Sequence, residues 1–124
     1  MNRCYGRGIL KVVVDFSALL ERIDDQCRRA AHARPGDGGT LEAIEDLLSE
    51  GYVVALSGES HSRRLADRVL RLAHGSEEPK AAGEARELVL EKRSVDLRVR
   101  LLRARLRDLR EHLRRLAGPH PLSG

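Results

Sequence analysis

The residues of this chain best placed to do chemistry lie in "SGESHS", residues 57–62, which holds Ser57, Ser60, Ser62, His61 and Glu59. A hydrolase needs its serine, histidine and carboxylate to converge on one point. Neighbouring residues on a helix point in different directions, and no G-x-S-x-G elbow surrounds any of these serines. The stretch therefore reads as polar helix surface. His32, His61, His74, His112 and His120 are dispersed, with no H-E-x-x-H and no histidine paired with a cysteine at zinc spacing. His32 and His74 fall near predicted helix C-termini, where positive charge is favourable. "GRGILK", residues 6–11, lacks the third glycine of a dinucleotide loop and follows no strand, and G-x-x-x-x-G-K-[ST] is absent. These patterns predict no enzyme, no bound metal and no cofactor.

The stronger chemical signal is cationic. Residues 93–115 carry nine arginines against three acids. Arg98, Arg100, Arg103, Arg105, Arg107, Arg110 and Arg114 are the candidates to contact phosphates. Against this, the arginines look spread around the helix rather than gathered on one face. Acids on a neighbouring helix are available as partners, and no aromatic residue is present to stack on bases. The segment reads first as a solvated coiled-coil flank, with a nucleic-acid-associated protein as the alternative. The overall net charge of +4 is mild.

A chain of 124 residues forms one domain with a modest core. Its aromatic residues are Tyr5, Phe16 and Tyr52, and 34% of residues are charged. A composition of leucine, alanine, arginine and glutamate belongs to long helices and coiled coils. Cys4 and Cys27 form no C-x-x-C pair and no disulfide framework, which favours a reducing compartment. The N-terminal apolar run is short and broken by Lys11 and Asp15, so it reads neither as a signal peptide nor as a membrane span. A cytoplasmic protein without membrane contact is expected.

The elements that must position these residues follow from apolar periodicity. Residues 1–14 form an N-terminal arm, whose "ILKVVV" suits an edge strand, a frayed arm or a helical extension. A first helix is predicted over 15–33 with Asp15 as its cap and Phe16, Leu19, Leu20, Ile23, Cys27 and Ala30 as its stripe. "RPGDGG" ends it. A second helix is predicted over 40–73 from a Thr40 cap. Its seam is Leu41, Ile44, Leu48, Gly51, Ala55, Gly58, Ser62, Leu65, Val69 and Leu72. A third, over 77–117, has the seam Ala81, Ala85, Leu88, Lys92, Val95, Val99, Leu102, Leu106, Leu109, Leu113 and Leu116. Between them Gly75 suits a left-handed cap, Ser76 an N-cap, and Pro79 the first turn. Residues 118–124 form a flexible tail.

The predicted fold is all-α: a long antiparallel, coiled-coil-like hairpin with a shorter N-terminal helix packed against it. A strand over 52–57, paired with "ILKVVV" in a small α/β fold, is the alternative. The 3–4 spacing stays in phase across this stretch, which favours the helix. Gly51, Ala55 and Gly58 then mark close helix–helix packing, with Phe16, Leu20 and Ile23 brought towards them. Equal rise from a turn at 74–76 sets Gly51 near Val99 and Gly58 near Lys92, whose ammonium would run out to water. It also sets Glu42, Glu45, Asp46, Glu50 and Glu59 along the arginine-rich half of the third helix. Nearer the turn, Arg63, Arg64, Arg68 and Arg71 would lie beside Glu77, Glu78, Glu84, Glu87 and Glu91. Leu65, Val69, Leu72, Leu88, Leu90, Leu97 and Leu101 are left as a candidate partner surface, for a homodimer or for a helical protein partner. The function expected is that of a small interaction or regulatory protein acting through helix–helix contacts.

Overall fold

The structure, a computed structural model, describes residues 2–75 and 79–118, with side chains described from Phe16 onward. It contains three helices: α1 (Asn2–His32), α2 (Gly38–Gly75) and α3 (Pro79–Ala117). The two longer helices pack against each other, and the shorter α1 packs against them. No strand occurs among the described residues, and α2 runs through 52–57 without interruption. The β-branched pair Val53 and Val54 costs only a few tenths of a kcal/mol in a helix, less than burial of an in-phase seam returns.

Helix boundaries depart from expectation at three places. Residues 2–14 continue α1 rather than forming a separate arm, so Asp15 lies inside the helix and is not its cap. No proline interrupts that stretch, and extending an existing helix adds one hydrogen bond per residue without a new nucleus. The second helix begins at Gly38, before Thr40. Its cap is Asp37, whose Oδ1 accepts from the Thr40 N–H at 3.4 Å and whose carbonyl accepts from the Leu41 N–H. Gly75 closes α2 within the helix and does not take a left-handed conformation. Pro79 opens α3, as its missing N–H allows. The expectations for Ser76, Glu77, Glu78 and residues 119–124 lie outside the described residues.

The chain clusters into two compact units, residues 1–54 with 102–124, and residues 55–101. In the first, three helices meet. Phe16, Leu19, Ile23 and Ala30 of α1, Ile44, Leu47 and Leu48 of α2, and Leu102, Leu106, Leu109 and Leu116 of α3 are buried. Gly51 is buried among them, and an added Cβ would overlap Cδ2 of Leu106 and lie 3.2 and 3.3 Å from its Cδ1 and Cγ. The glycine is thus a close-approach position. Its partner is Leu106, one heptad beyond the expected Val99. A heptad slip leaves every seam residue on the seam, so periodicity alone does not choose between the two registers.

One end of this unit is tied by main-chain bonds. Arg34–Asp37 is a reverse turn with Pro35 second and Gly36, at φ +86°, third. It is closed by the Asp37 N–H donating to the Arg34 carbonyl. The Gly36 N–H then donates to the Leu116 carbonyl at 2.9 Å, and Arg115 donates to the Ala30 carbonyl at 2.7 Å. One carbonyl in the last turn of each of α3 and α1, where intrahelical partners run out, is thereby satisfied from another part of the chain. Gly118, at φ +75°, terminates α3.

The second unit is a helix pair. Its buried positions are small or polar: Ala55, Gly58, Ser62, Ala81, Val95 and Val99, with Leu65 the largest. Ser62 of α2 donates its hydroxyl to Asp96 Oδ1 of α3.

Candidate functional site

The "SGESHS" side chains diverge. Ser57 is exposed, whereas Ser62 is buried and bonds Asp96 directly. Asp96 also accepts from Lys92 Nζ at 2.8 Å, so the Lys92 ammonium has a carboxylate partner on its own helix. The bonds from Lys92 and then Ser62 hold the Asp96 carboxyl below its ordinary range, because both favour its charged form. His61 turns towards Glu91, with Nε2 3.5 Å from Oε1, and this nitrogen is buried without a hydrogen bond. The hydroxyl and the imidazole therefore serve different carboxylates, an arrangement that joins two helices.

Cys27 sits half-buried in an open groove of the three-helix unit lined by Asp24, Arg105, Asp108, Glu111, His112 and Arg115. Burial, followed by the nearby carboxylates of Asp108 and Asp24, pushes the thiol pKa up. The thiol is thus held protonated, the unreactive form. Among the described residues no cluster of three or more His, Cys, Asp or Glu side chains suits a metal ion, and no helix is long and apolar enough to cross a membrane.

The arginines divide between two sides of α3. Arg103, Arg107, Arg110 and Arg114 follow one another by four, three and four residues and so share one flank. Of these, Arg107, Arg110 and Arg114 are exposed, and Arg114 lies 3.3 Å from Glu111. Arg105 faces elsewhere and pairs with Asp24 of α1 at 3.1 Å. In the second unit Arg100 is exposed and Arg98 half-buried.

In the three-helix unit, α1 supplies ion-pair partners to both longer helices. Glu50 of α2 takes two hydrogen bonds, at 2.9 and 2.8 Å, from Arg22 of α1. That fork holds the Glu50 carboxyl below its usual range and raises the guanidinium. Arg22–Glu50 and Asp24–Arg105 set the two flanks of α1 against different helices. They were missed because a third helix supplied partners that a two-helix register does not contain. In the second unit Glu91 faces His61, not an arginine of α2.

The expected partner surface separates by burial. Leu65 is core, only 2% exposed, and belongs to no open surface. Val69, Leu72 and Leu88 are half-buried. Leu90, Leu97 and Leu101 stand 58%, 61% and 45% exposed. Their spacing of seven and four places them on one outer line of α3. Of the close-packing trio, Gly51, Ala55 and Gly58 are all buried.

Comparison with protein families, curated proteins and solved structures finds no match.

Proposed function

We propose that this protein is a non-catalytic interaction or regulatory protein that works through helix–helix contacts. The observation carrying this reading is the outer line of Leu90, Leu97 and Leu101 on α3, solvent-exposed at the spacing of a coiled-coil seam. Each leucine holds apolar surface in water that a docking helix would remove, at about 25 cal/mol per Å². Large side chains so aligned on an otherwise charged helix are a surface awaiting a partner. The test is capture from nuclease-treated lysate by the immobilised full chain, comparing wild type with Leu97→Asp. Protein partners should be held by the wild type and released by the variant, whose circular dichroism should be unchanged. Capture indifferent to charges placed at both Leu97 and Leu90 would remove this reading.

A second reading rests on the flank of Arg103, Arg107, Arg110 and Arg114, which suits phosphates spaced along a nucleic-acid backbone. Without aromatic residues beside it, such a surface contacts backbone and does not read bases. Binding to duplex DNA or RNA would then fall steeply with salt, with a log–log slope of about −0.9 per phosphate neutralised on B-DNA. Absence of retention on either nucleic acid at low salt would end it.

A further inference from the structure

We infer that the exposed leucine line of α3 takes an amphipathic helix whose own apolar stripe is bordered by aspartate or glutamate. This rests on the helix-contact reading above and specifies the partner. Leu90 and Leu97 occupy one heptad position and Leu101 the other seam position, and Arg86, Arg93 and Arg100 repeat every seven residues along one border. All three arginines are exposed. Arg100 acts through space on Asp96, whose carboxylate is already bonded to Lys92 and Ser62. The opposite border carries Glu84, Glu91 and Arg98, of which Glu91 faces His61. One border is thus uniformly cationic and the other mixed.

Border charges choose the partner and its orientation in a coiled coil. A second copy of this chain fits less well: antiparallel pairing about the leucines would bring Arg93 of one copy beside Arg100 of the other and parallel pairing would bring Arg93 beside Arg98, and the one carboxylate that could offset either, Glu91, already faces His61. A helix with carboxylates along one border meets the arginine row in either orientation, and arginine forks bind carboxylates with two parallel bonds.

The test uses the full chain and two labelled peptides of about three heptads with leucine seams, one bordered by glutamate and one by lysine, followed by fluorescence anisotropy. Like charges on each peptide keep it from pairing with itself. At low salt the glutamate peptide should bind about tenfold more tightly than the lysine peptide, the summed effect of three exposed pairs. High salt should narrow the gap, the joint Arg86→Glu, Arg93→Glu and Arg100→Glu change should reverse the preference, and Leu97→Asp should abolish binding of both. Arg93→Glu alone, with unchanged circular dichroism, should still weaken glutamate-peptide binding severalfold if the triple variant folds poorly. Equal binding of the two peptides, or preference for lysine, would overturn the acidic partner while leaving helix docking intact. Failure of both to bind would overturn the docking reading as well. Glutamate-peptide binding that survives Leu97→Asp would place it elsewhere. A dimer in light scattering that dissociates on Leu97→Asp would assign the face to a second copy and overturn the proposal.

Discussion

The two units of this chain are built from the same kind of helix, yet they bury different things. Where three helices meet, the interior is Phe16, Ile23, Ile44, Leu102, Leu106 and Leu109, all at or below 3% exposure. Where two helices pair, the interior is Ala55, Ser62, Ala81 and Val95 with Leu65 alone among the leucines, and Leu56, Leu70, Leu90 and Leu97 stay in water. A helix pair has one line of contact, so each helix hides only a narrow stripe. A third helix closes a channel in which bulky side chains are surrounded on all sides. Leucines are therefore mostly enclosed in one unit and mostly exposed in the other.

The widest gap between the units should appear at leucine. Leu106→Ala removes a fully buried side chain in the three-helix unit and should cost about 3 kcal/mol in chemical denaturation. Leu97→Ala, at an exposed site of the helix pair, should stay within about 0.5 kcal/mol of wild type. Equal costs would erase the comparison.

Glycine sharpens it at smaller scale. Gly51→Ala drives a methyl into the enclosed Leu106, and overpacking should outweigh the helix gain, leaving the protein about 1 kcal/mol less stable. Gly83→Ala, with no atom within 4 Å of the new Cβ, should instead stabilise it by about 0.5–1 kcal/mol. Opposite signs in thermal melts would support the close approach at Gly51, and matching signs would contradict it.

The polar link in the helix pair should respond to acid. The Asp96 carboxyl is lowered in the folded state, so its contribution is present in full above the ordinary carboxylate value of 3.8. It is lost as pH falls from there through the depressed folded value. Ser62→Ala should cost about 1 kcal/mol at neutral pH and flatten part of the acid-side loss. Full retention of that loss in the variant would assign it to other carboxylates.

The subtlest contrast is local opening. Amides of α2 and α3 in the three-helix unit should exchange with deuterium more slowly than those of residues 62–72 and 84–95, which have fewer enclosing side chains. Uniform protection across both units would mean that the helix pair opens only with the whole molecule.

Much of this was legible in the residues. The 3–4 spacing marked Ile44, Leu48, Ala55, Leu102, Leu106 and Leu116 as interior, whereas the Ser62–Asp96 bond was not foreseen. Leu47 was missed because it lies beside the α2 seam and is buried in the three-helix unit. Asp37 was passed over as a cap because two glycines follow it, although glycine is tolerated in a first helical turn stabilised by a side-chain acceptor.

Sequence alone determined that the chain forms helices and which line of each turns inward, because a 3.6-residue period and apolar burial act locally along the chain. Only the tertiary structure decided that Gly51 meets Leu106, that Arg22 forks onto Glu50, and that Leu65 is enclosed while Leu97 is not. A heptad pattern is unchanged by sliding seven residues. Which flank is covered depends on where a third helix lies, so these choices belong to the assembled helices and not to any one of them.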